Sequence, residues 1–117
     1  MRRNNMLTVK DLQQKGNMKV LCPDVLPDRE ITGCYCGDLL SWVMSRASEG
    51  DAWLTVMGNI NAVGVAVLAD CACIVLTENA AFDDNALQRA KENGVAVLQT
   101  EKNSFETAVL VSELLKG

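Results

Sequence analysis

The sequence predicts an α/β fold in three layers, built on a mainly parallel sheet whose strands alternate with helices. Three observations lead there. Short, continuously apolar and β-branched runs recur along the chain, among them "AWLTVMG", "ACIVLT" and "VAVLQT". Segments of about 10 to 12 residues with helical spacing separate them. Strands that are apolar on both sides need cover on both sides, and strand–helix–strand order implies right-handed crossovers between parallel neighbours.

Taken in order, residues 1–5, "MRRNN", are polar and without periodicity and are expected to form a flexible tail, leaving 6–117 as a single domain. Thr8 and Asp11 have capping-box spacing and open a short helix that Gly16 ends. "MKVLCP" is a strand, "DVLPD" a loop, and "REITGCYCG" a second strand with a glycine bulge at Gly33. Asp38 stands at an N-cap position ahead of a helix whose stripe is Leu39, Leu40, Val43 and Met44. The alternation then becomes regular: strand "AWLTVMG", helix "NINAVGVAVLADC", strand "ACIVLT", helix "DDNALQRAKENG", strand "VAVLQT" and helix "SFETAVLVSELLKG".

A chain of 117 residues, 49% hydrophobic and 22% charged, can bury a core of its own. Its net charge of −4 argues against nucleic acid and against an anionic membrane surface, both of which call for a basic face. No apolar run approaches the ~20 residues that cross a bilayer, and residues 1–17 lack the apolar stretch of a secretory signal, so a cytoplasmic protein is expected. The five cysteines are then expected to be free thiols. The absence of histidine removes the commonest general base near neutral pH and the commonest metal ligand.

Residues two apart on a strand share a face, which pairs Cys34 with Cys36 and Cys71 with Cys73. Metal sites favour Cys-x-x-Cys at tight turns, and neither pair has that spacing, so no metal and no cofactor is expected. The leading reading is core packing, for Cys22 as well, with a regulatory thiol at Cys34 or Cys36 as the alternative. Trp42 and Trp53 read as core or interface anchors. The helix "NINAVGVAVLA" is apolar nearly all round and needs cover on its outer side, from a homodimer partner or from another helix of the same chain.

In an open parallel sheet ligands gather outside the carboxyl ends of the strands. The segments that end there carry Gly58, Asn59, Thr77, Glu78 and Asn79, which are the ligand-binding candidates, with Asn61 and Thr100 beside them. The same small and polar residues also serve as helix caps. There is no P-loop, no Gly-x-Gly-x-x-Gly and no Gly-x-Ser-x-Gly elbow, and without histidine a conventional nucleophile–base pair is missing. Glu78 with Asp83 and Asp84 suits a divalent cation, yet the two aspartates fit equally at a helix N-terminus.

Residues 56–115, opening "VMGNINAVGVAVLADCACIVLTENAAFDD", resemble the DRTGG domain and, more distantly, the N-terminal domain of HPr kinase/phosphorylase. The upstream "DREITGCYCGDLLSWVM" is similar to the strand-and-helix opening of small stand-alone DRTGG proteins. The turns that name that family, Gly-Asp-Arg after one strand and Thr-Gly-Gly after the next, match Gly58-Asn59-Ile60 and Thr77-Glu78-Asn79. Gly58 and Thr77 are retained, and neutral residues replace the Asp and Arg charges. The resemblance implies an accessory, non-catalytic domain of the kind found beside phosphate acetyltransferase and CBS-domain pyrophosphatase modules, often at a dimer interface. The expected function is therefore that of a non-enzymatic regulatory homodimer that senses a small metabolite or docks on a partner enzyme. Two rivals are a small enzyme at the Asn59/Thr77/Glu78 cleft, with Glu78 as its acid or base, and a thiol or metal protein using Cys34 and Cys36.

Overall fold

The computed structural model describes residues 6–25 and 27–117, so the expected tail at 1–5 and Leu26 of the predicted loop lie outside the described residues. The chain opens with strand β1 (Leu7–Thr8) and helix α1 (Val9–Lys15). The capping box is present: Thr8 Oγ1 accepts from the Asp11 N–H at 3.1 Å, and the Asp11 carboxylate accepts from the Thr8 N–H at 3.2 Å. Strand β2 (Lys19–Val20) follows, shorter than the sequence suggested.

The single strand expected over 29–37 is two strands, β3 (Glu30–Ile31) and β4 (Gly33–Cys36). β3 pairs antiparallel with β1 in a small separate sheet. The break falls at Thr32, whose N–H donates to the Gly50 carbonyl and whose Oγ1 donates to the Glu49 carbonyl. Gly33 is thus no bulge: it pairs in register with Asp51.

Helix α2 (Leu40–Arg46) starts at Leu39 without a side-chain cap. Asp38 is not its N-cap, because the Asp38 carboxylate is drawn to the next strand instead. Of the predicted stripe only Val43 is fully buried, while Leu39 and Met44 are exposed. α2 follows the edge strand β4 and lies at the rim of its layer, where one side stays uncovered. The regular part then runs β5 (Asp51–Thr55), α3 (Ile60–Ala69), β6 (Cys73–Leu76), α4 (Asp84–Asn93), β7 (Ala96–Gln99) and α5 (Ser104–Lys116).

The main sheet has the order β2-β7-β6-β5-β4; β4 to β7 are parallel, and β2 runs antiparallel to β7. Successive residues of each central strand feed opposite faces, as a pleated strand requires. Trp53, Ile74 and Val97 pack with Val63, Ala66, Ala86 and Ala90 of α3 and α4. Leu54, Val75 and Leu98 pack with Leu12, Ile31 and Val111 of α1, β3 and α5. Two cores sandwich one sheet, and each fully buried aliphatic side chain contributes about 1.5–3 kcal/mol. Trp53 Nε1 donates to the Gly37 carbonyl at 2.9 Å, which satisfies the one polar group that this buried indole brings inside.

α3 lies between α2 and α4. Even so, Val67 and Leu68 remain 45% and 73% exposed, so the chain's own helices cover it only in part. Trp42 is half exposed, with the Arg46 guanidinium over its ring. Cys71 and Cys73 do not form the expected same-side pair: β6 begins at Cys73, Cys71 still belongs to the turn, and the two pack into different cores. Among the described residues no helix is long and apolar enough to cross a membrane.

Candidate functional site

The four parallel strands end at one edge of the sheet, at Asp38, at Val56–Asn59, at Thr77–Asn79 and at Thr100–Lys102. Because β2 runs the other way, its beginning, with Gly16 to Lys19, joins the same edge.

Thr77 is fully buried; its N–H donates to the Thr55 carbonyl at 3.1 Å and its hydroxyl shares a hydrogen bond with Ser104 Oγ at 3.1 Å. Glu78 and Asn79 are exposed and both left-handed, with φ of 56° and 55°. Their N–H groups donate to the Lys102 and Thr100 carbonyls, each at 2.8 Å, so these amides hold the loop and are not free for a ligand. Asn59 is the N-cap of α3, its Oδ1 accepting from the Ala62 N–H at 3.1 Å. Gly58 lies under the loop after β6: its carbonyl accepts from the Asp83 N–H at 2.7 Å, and a Cβ there would collide with the Ala81 carbonyl. The 80–83 stretch therefore joins the two predicted turns, Gly58-Asn59 and Thr77-Glu78-Asn79, into one crevice wall. Asp83 and Asp84 sit at the start of α4.

A cavity at this edge lies beside that wall, over the ends of β7 and β2. It measures about 300 Å³, and Asn17, Lys19, Asn79, Gln99, Thr100 and Lys102 are in its lining. Of the residues expected at this edge Asn79 and Thr100 reach it; Gly58, Asn59, Asn61, Thr77 and Glu78 do not. Asn17, Lys19, Gln99 and Lys102 were not singled out from the sequence. Gln99 lies in the expected strand "VAVLQT" and Lys102 just after it, but the neighbourhood of β2 and β7 leaves no local signature. Asp38 was also missed as a strand-end residue: its Oδ1 accepts from Thr55 Oγ1 at 2.7 Å and from the Val56 N–H at 3.0 Å, tying the end of β4 to that of β5.

Cys36, exposed at the end of edge strand β4, is the most accessible thiol, and Cys34 is half-buried beside it on the same face. The hydrogen bond between them raises the Cys34 pKa, with burial adding to the effect, and lowers that of Cys36 to about 7. Burial pushes Cys71 up to about 11 and Cys73 up to about 12 and raises Cys22, which leaves these three as packed thiols. At the opposite edge Arg29 caps the end of α3, donating to the Asp70 carboxylate and carbonyl at 2.9 Å each; this holds the Asp70 carboxyl below its ordinary range. Among the described residues no three Cys, Asp or Glu side chains group as metal ligands. The carboxyl edge can offer carboxamides, hydroxyls, two ammonium groups, carboxylates and, at the end of β4, the Cys36 thiol, a set suited to binding in which Cys36 is the group shifted toward neutral pH.

The DRTGG domain model matches residues 36–114. No curated protein matches the chain. Among solved structures it is similar to the crystal structure of the CBS and DRTGG domains of the regulatory region of Clostridium perfringens pyrophosphatase, complexed with the activator diadenosine tetraphosphate. The TM-score is 0.73 at 13% identity, over 92% of this chain and 47% of that one. The chain thus spans about half the length of that structure and shares its fold. With more than half of its residues matched to the family and the same α/β architecture in a solved relative, the chain belongs to the DRTGG domain family.

Proposed function

We propose that the protein is a non-catalytic regulatory module, a cytoplasmic homodimer that binds a small ligand or docks on a partner enzyme. Its binding surface is the crevice at the carboxyl edge, with Gly58 and Thr77 shaping the wall and Asn59, Glu78 and Asn79 presented on it. The observation that carries this reading is the fold match, over nearly the whole chain, to a regulatory region solved with a small-molecule activator. The absence of histidine from the chain supports a binding role over catalysis. The exposed Trp42, Val67 and Leu68 support self-association, and the free state of all five cysteines supports a reducing compartment.

Native mass spectrometry of the purified full chain tests the whole reading. Dimer mass with a retained small molecule is expected, and the ligand should be lost in the Asn59→Ala/Glu78→Ala variant. A double variant that retains the ligand as well as wild type does, or turnover of any compound in a metabolite screen, would refute the binding-module reading. Light scattering that gives monomer mass at tens of micromolar would remove the dimer. One observation favours a thiol-based role beside this one, namely that Cys34 and Cys36 share a face of edge strand β4 and Cys36 is exposed.

A further inference from the structure

The cavity between the turn after α1, the start of β2 and the ends of β6 and β7 has a lining without a single apolar side chain. Lys19 and Lys102 both border it, and among the described residues neither ammonium group enters an ion pair or hydrogen bond. Asn17 and Asn79 line the same space, and among the described residues neither carboxamide enters a hydrogen bond. Gln99 differs: its Nε2 donates to the Ala80 carbonyl at 2.8 Å, which fixes the wall. Two ammonium groups against the Glu101 carboxylate leave the lining net positive in a chain whose formal charge is −4.

Size and chemistry narrow the occupant. A cavity of about 300 Å³ is at the small end of ligand sites, and a wholly polar wall gives an aromatic base nothing to stack on. The planar fork of arginine matches carboxylate and phosphate alike, and in its absence the lining relies on lysine. Lysines act as movable point charges and suit the oxygens of a phosphoryl group, with amide N–H donors completing the contacts. The geometry points to a binding site for a small phosphoryl-bearing anion, held by Lys19 and Lys102 and hydrogen-bonded by Asn17 and Asn79. This rests on the binding-module reading and names the ligand chemistry at the neighbouring end of the same edge.

Inorganic pyrophosphate is the probe, added to the ¹⁵N-labelled full chain up to about 10 mM at constant ionic strength. Amide shifts confined to residues 16–19, 79 and 99–102 are expected. Lys19→Ala/Lys102→Ala should weaken binding by about tenfold or more, whereas the charge-matched control Lys10→Ala/Lys116→Ala leaves it unchanged. Three results would each overturn the site: no shifts at that concentration, shifts centred elsewhere, or equal binding of succinate, a dicarboxylate. Phosphorus NMR of the same samples separates the two readings. Hydrolysis to phosphate would end the non-catalytic reading while the shifts still locate the site; an intact probe that causes no shifts would end the site alone.

Discussion

Gly58 and Thr77, the residues retained from the two family turns, are both held by packing. At Gly58 the Ala81 carbonyl fills the space of a Cβ, and Thr77 is buried against Ser104. Gly58→Ala is therefore expected to cost about 2–3 kcal/mol, because backbone must move, and a urea midpoint within error of wild type would contradict this. The replaced residues behave in the opposite way. Glu78 and Asn79 stand where the family turn has Gly-Gly, and both adopt the left-handed backbone that glycine reaches freely. Asparagine tolerates it; glutamate carries about 1 kcal/mol of strain, so Glu78→Gly should leave stability unchanged or raise it by up to that amount. A midpoint that falls would show that the Glu78 side chain contributes something the crevice geometry does not reveal. At Cys36 the depressed pKa of about 7 means that the thiolate forms at lower pH than the ordinary 9.0. Its alkylation by iodoacetamide should rise through neutral pH, and Cys34→Ala should move that rise upward; an unmoved profile would mean that Cys34 has no part in it.

Among the elements, β5, β6, β7 and the helices between them were legible because their signals are local: β-branched runs for strands, a helical period closed by Gly94 or a polar cap for helices. β1 was not, and β3 was not told apart from β4, since a two-residue strand has no period to read. Asp38 shows how a correct residue preference can point to the wrong partner. An aspartate just ahead of a helix reads as a cap, yet the Thr55 hydroxyl and Val56 N–H at the end of β5 claim its carboxylate. Asp38→Ala should thus cost about 1 kcal/mol with unchanged helical circular dichroism, and a measurable loss of helix would restore the capping role. The same limit hid half of the candidate site. The carboxyl edge followed from strand alternation, so Thr77 and Asn79 could be placed on it, whereas Lys19 arrives there only through the pairing of β2 with β7.

At the scale of the molecule, that pairing joins the two ends of the chain. Val20 lies opposite Leu98, and the Leu21 N–H donates to the Val97 carbonyl at 3.0 Å, while β5 and β6 are separated by little more than one helix. The strand made early in synthesis can join only the strand made near the end. Closing so long a loop is entropically late, so contacts of low sequence separation are expected to form first and β2 to dock last. Native-state hydrogen exchange should then find Leu21 opening with a smaller free energy than Leu54 or Val75, and equal protection at all three would mean that the sheet opens as one unit. The cavity walled by Asn17 and Lys19 on one side and Thr100 and Lys102 on the other shares that fate. On that expectation it forms late in folding and opens early in unfolding, so its occupant would act as a clasp on the chain, tying the N-terminal segment to the end of β7 and slowing its release.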